Sequence, residues 1–124
     1  MPLPFRDFAL ARVLAPAGRL EHDNCEAFHA ELAPHVDACS RLGKAVVLDL
    51  SGLEYVSSAG LRCFMIAAKQ AKAQNGRILI AAMQAVVGEI FRISRFDLVF
   101  DVYPTVREAL GALSPEAAAA FDRG

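Results

Sequence analysis

The chain has 124 residues and a formal net charge of −1, a length that suits one domain and is short for two. Hydrophobic residues make up 55% of it, so a core can form without disulfides or metal, and the charge balance offers no field to hold a nucleic-acid backbone. No run is apolar and long enough to insert in a membrane, and Met1 to Asp7 lack the charged-then-apolar order of a signal peptide, so the expected location is the cytoplasm.

In chain order, Phe8 to Leu14 reads as a strand that runs into the turn signal Pro16-Ala17-Gly18. Cys25, Phe28, Leu32, Val36 and Cys39 then step by three and four, the spacing of one helix face. Pro34 lies inside that stripe and predicts a kink or two shorter pieces. Ala45 to Leu50 is a nearly continuous apolar run, as expected of a strand covered on both faces, and Ser51-Gly52 breaks it. A helix is expected from Ser57 or Ser58 to about Asn75-Gly76. Arg77 to Ala82 is a second buried strand, Val87, Ile90 and Phe91 mark a third helix, and Leu98 to Tyr103 is another strand. Thr105-Val106-Arg107-Glu108 is a capping box that opens a helix through about Leu113. The segment 114–124 is a tail or one more short helix, beginning at Ser114-Pro115-Glu116. Strands alternating with helices imply an α/β domain, with a small, mainly parallel sheet and helices packed on one face.

Enzymatic readings find little support. A serine nucleophile on a G-x-S-x-G elbow would need a glycine that Tyr55-Val56-Ser57-Ser58-Ala59-Gly60 lacks, which leaves a small serine hydrolase as a weak alternative. His22, His29 and His35 fall in or beside the first helix and read as solvated surface residues. His22 and His29 are two helical turns apart, too far to share an ion easily. Cys25, Cys39 and Cys63 have no zinc-ligand spacing and read as buried thiols. Phosphate-binding glycine loops are absent. The expectation is therefore no catalytic residue, no cofactor and no metal.

What remains is Ser57-Ser58-Ala59-Gly60-Leu61. Ser57 is a good N-cap, and Ser58 would be the first helical residue, at the positive end of the helix. A phosphate on Ser58 would meet free amides there and add about −2 charge to the surface. The plain alternative is that both serines only cap the helix. A helical wheel from Leu61 puts Leu61, Phe64, Met65, Ala68 and Lys72 on the core face. It puts Arg62, Cys63, Ile66, Lys69, Gln70 and Ala73 opposite. Ile66, rimmed by Arg62, Lys69 and Gln70, has the character of a small protein-binding patch.

The run Val47-Leu48-Asp49-Leu50-Ser51-Gly52-Leu53-Glu54-Tyr55-Val56-Ser57-Ser58-Ala59-Gly60-Leu61-Arg62 closely resembles the signature of the STAS domain, and more narrowly of bacterial anti-sigma factor antagonists. Weaker matches flank it: Gly18-Arg19-Leu20-Glu21, Asn75-Gly76-Arg77 and Val102-Tyr103-Pro104-Thr105. The resemblance covers about residues 8–113 of a single STAS domain spanning 1–124. It implies a non-enzymatic partner switch. The unphosphorylated antagonist binds an anti-sigma factor that is also a serine kinase, and so frees a sigma factor. Phosphorylation, here at Ser58, inactivates it, and a PP2C-type phosphatase restores it. The resemblance and the helical wheel together give an expected partner surface of Glu21, Ser57, Ser58, Ala59, Gly60, Leu61, Arg62, Ile66 and Lys69. Ser57 replaces the usual Asp, Glu21 stands where an Asp is common, and Arg95 stands where a helix-ending glycine is frequent. The alternative within the superfamily is a subunit of another regulatory, secretion or lipid-transport complex, with Ser58 unmodified.

Overall fold

The computed structural model describes residues 3–123, which form seven strands and five α-helices; Met1, Pro2 and Gly124 lie outside the described residues. Strands β1 (Phe5–Phe8) and β2 (Ala11–Leu14) pair antiparallel as a hairpin. Strand β4 (Ala45–Asp49) lies beside β2, then β6 (Ile78–Ala81), then β7 (Asp101–Tyr103), and all three of these pairings are parallel. A separate parallel ladder joins β3 (Gly18–Leu20) to β5 (Leu53–Val56).

The apolar run of β4 explains the layering. Alternation along a strand sends Val46 and Leu48 to one face and Ala45 and Val47 to the other, and all four are buried. On the first face, α1 (Cys25–Arg41), α2 (Ser58–Ala73) and α3 (Ala85–Ile93) enclose a core around Phe28, Phe64 and Phe91. The expectation of helices on one face holds for these three. On the opposite face, α4 (Val106–Leu113) and α5 (Pro115–Asp122) cover Phe8, Val47 and Leu79. Both faces of β4 and β6 are apolar, so neither can be left wet.

Other expectations change in detail. Phe8 to Leu14 is not one strand: Ala9 and Leu10 form a two-residue turn, with Leu10 at φ 63° and no glycine or asparagine to announce it. Pro34 does not divide α1, which runs unbroken for 17 residues. The carbonyl that the proline deprives of a donor belongs to Ala30, an exposed position where water can serve it. Leu98 to Tyr103 splits into the end of a 3₁₀ turn (Phe96–Leu98) and β7. Arg95, at φ 62°, takes the left-handed conformation just before that turn. The Thr105 hydroxyl accepts from the Glu108 amide at 3.1 Å, but the reciprocal half of the capping box is not formed. The segment after Ser114 is a helix, capped by the Ser114 hydroxyl on Ala117 N at 3.0 Å.

Candidate functional site

The β3–β5 ladder assembles the site. Its register sets Leu20 beside Val56, so Glu21 follows β3 where Ser57 follows β5. The Ser57 amide donates to the Leu20 carbonyl at 2.8 Å and locks the two strand ends together. Asn24 finishes this corner: its side chain accepts from Glu21 N at 2.8 Å and donates to Arg19 O at 2.7 Å. Arg19 lies over the Tyr55 ring at 4.5 Å and pairs with Glu21 at 3.2 Å, so the acid next to the serines is partly neutralised.

Ser57 turns the chain from extended backbone into α2, and its hydroxyl accepts from Gly60 N at 3.2 Å. The cap is therefore Ser57. Ser58 is the first residue of a 16-residue helix and is exposed, and its hydroxyl makes no hydrogen bond among the described residues. The amides of Ser58 and Ala59 also lack a protein acceptor among the described residues. An exposed hydroxyl thus sits at the positive end of a long helix beside two open donors. Gly60 is buried against Leu20, where a Cβ would lie 3.0 Å from the Leu20 carbonyl oxygen. It permits the close approach of α2 to β3 and offers a partner no side chain.

A family description, "Mlab, STAS domain", matches residues 8–102. The Bordetella bronchiseptica protein BtrV, named as an anti-sigma factor antagonist, is 41% identical over 95 residues, which cover 77% of this chain and 78% of that protein. The chain belongs to the family of STAS-domain anti-sigma factor antagonists. Two solved structures share its fold at low identity. One, named as an anti-sigma factor antagonist of Thermotoga maritima, superposes with a TM-score of 0.80 at 19% identity, covering 89% of this chain and 92% of that one. The other, the phosphorylated form of the Bacillus cell fate determinant SpoIIAA, gives 0.63 at 16% identity, covering 90% and 98%.

Along α2 of this STAS domain, Arg62 and Lys69 are exposed, Ala59 and Leu61 are half-buried, and Ile66 keeps 41% of its surface open. Three wheel assignments change, the first being Gln70, which is half-buried and donates to the Ala33 carbonyl of α1 at 3.0 Å. Cys63 is buried and Lys72 is exposed, because the buried stripe is Gly60, Cys63, Phe64, Ala67 and Ala71, about one position round from the expected one. The wheel was set from Leu61 alone, whereas α1 packs on α2 and draws the Cys63 side inward. Burial pushes the Cys63 thiol up to about 11, with Cys25 adding to the effect, so it stays protonated and inert at neutral pH. All three cysteines are free and buried.

The histidine expectation fails for His35. It is half-buried, its Nδ1 lies 3.2 Å from Arg12, and its ring packs on Phe5 at 4.9 Å. His29 is also half-buried, and its Nδ1 is enclosed with no partner among the described residues. No group of three potential metal ligands exists among the described residues, and no described helix is long and apolar enough to cross a membrane. The wheel missed one feature altogether: a groove of about 510 Å³ lined by residues from the N-terminal halves of α1 and α2. Only the apolar steps of α1 hinted at that second wall.

Proposed function

We propose that this protein acts in the cytoplasm as an anti-sigma factor antagonist with no catalysis of its own. When unphosphorylated it binds an anti-sigma factor that is also a serine kinase, through Glu21, Ser57, Ser58 and the exposed side of α2. That binding releases a sigma factor. The kinase phosphorylates Ser58 and ends the interaction, and a PP2C-type phosphatase resets the switch.

One observation carries this reading: Ser58 is an exposed, uncommitted hydroxyl on the first residue of α2, while Ser57 holds the cap. A kinase can reach Ser58 without unfolding the helix start. The resulting phosphate would face the open amides of Ser58 and Ala59 and the helix dipole, so the fold tolerates it. The likeness to BtrV supports the antagonist assignment. The experiment is incubation with ATP and the candidate anti-sigma kinase of the same genome, followed by mass spectrometry. Phosphate on Ser58, absent in Ser58→Ala, is the expected result. Phosphate on Ser57 with Ser58 untouched would overturn the assignment.

A further inference from the structure

We infer that the groove between α1 and α2 receives an amphipathic helix of the anti-sigma partner, with acids along its edge over α2 and bases along its edge over α1. This rests on the antagonist reading and adds α1 to the binding surface. The floor is apolar, made by Cys25 of α1 with Cys63 and Ile66 of α2. About 510 Å³ accommodates a large apolar side chain of the partner, the kind of desolvated pocket in which interface hot spots form.

The charges on the two walls are opposite. Helix α2 lines the groove with Arg62, has Lys69 exposed two turns further on, and carries no acidic residue. The α1 side lines it with Glu26, and Asp23 is exposed just before that helix. All four are exposed, and none makes an ion pair among the described residues. A helix laid in the groove with its apolar stripe inward would match both walls in only one orientation. The groove is also continuous with the switch, since Ala59 and Arg62 line it within the first turns after Ser58. A phosphate on Ser58 would then stand near the acidic edge of the docked helix. Repulsion there ends binding without any change in the fold.

The test is titration of the candidate anti-sigma factor of the same genome against purified variants, each checked by thermal melting. His22→Trp covers the groove from its rim, and Glu26→Lys reverses the charge of the α1 wall; both positions are exposed. Each variant should melt like the wild type and bind on the order of tenfold more weakly. Leu98→Glu, on the distant 3₁₀ turn, should bind like the wild type. If the wild type binds, Ser58→Asp weakens binding and both α1 variants bind normally, the groove inference is wrong and the antagonist reading stands. If the wild type binds no anti-sigma factor, both fall.

Discussion

Replacing Gly60 by alanine tests whether the contact between α2 and β3 is as tight as the geometry says. A Cβ there would lie 3.0 Å from Leu20 Cγ, 3.0 Å from the Leu20 carbonyl oxygen and 3.0 Å from Val56 Cγ1. The Leu20 carbonyl has little room to retreat, because it accepts the Ser57 amide at 2.8 Å and its strand is paired to β5. Alanine gains about 1 kcal/mol over glycine in a helix interior. Overpacking costs about 1–3 kcal/mol, and three simultaneous contacts, one against fixed backbone, place this case in the upper half of that range. The net expectation is a loss of about 1–2 kcal/mol, or roughly 4–8 °C in melting temperature for a domain of this size. Gly88 of α3 and Gly111 of α4 serve as controls. Their nearest neighbours to a new Cβ are at 4.0 Å, so alanine should stabilise each by about 0.5–1 kcal/mol. Circular-dichroism melts of the three variants decide the matter. If Gly60→Ala melts at or above the wild type while both controls are stabilised, the close approach of α2 to β3 is not real.

Ser57→Ala should cost about 1 kcal/mol through the lost cap on Gly60 N, read by urea unfolding, whereas Ser58→Ala should leave stability nearly unchanged. Ile66→Glu should shift stability by no more than about 0.5 kcal/mol, since Ile66 is 41% exposed, yet weaken partner binding about tenfold in a titration. Unfolding of that variant would mean that Ile66 belongs to the core. Ser58→Asp should melt no earlier than Ser58→Ala while binding the partner much more weakly; loss of binding only through loss of structure would make the switch a folding switch. Burial, with the Arg12 guanidinium next, holds the His35 pKa below its ordinary value of 6.5, so the unfolded chain takes up this proton more readily than the native one. The associated stability is complete above about pH 6.5 and is lost as pH falls through the lower native value, so urea midpoints at about pH 7.5 and pH 5.5 should differ less in His35→Gln.

Much of this fold could be read from local pattern. The strand over Ala45 to Leu50 and the α1 stripe from Cys25 to Cys39 are carried by apolar spacing, and they appear as expected. The first hairpin was hidden because its turn is Ala9-Leu10, which carries no turn chemistry. The ladder of β3 and β5 was hidden because three or four residues give no period, although it sets Glu21 beside Ser57. The α2 start was legible, since Ser57 and Ser58 differ by one position in a capping pattern whose geometry is fixed. The buried side of Cys63 was not. Its burial comes from α1, which lies 38 residues away in sequence at the Cys25 carbonyl that accepts from its thiol. Pairwise helix packing of that kind leaves no mark on a single helical wheel.

The sheet divides the interior into two apolar compartments, one beneath α1, α2 and α3 and one beneath α4 and α5. The backbones of β2, β4 and β6 stand between them, each sending side chains to both sides. Damage on one side should therefore add to damage on the other with little coupling, as for independent sites. A truncation of Leu110 and a truncation of Phe64 would sum. The same insulation makes the outer surface of α5 a suitable place for a dye or a tether. It lies behind the sheet from Ser58, so a reporter mounted there would ride with the domain without touching the exposed start of α2.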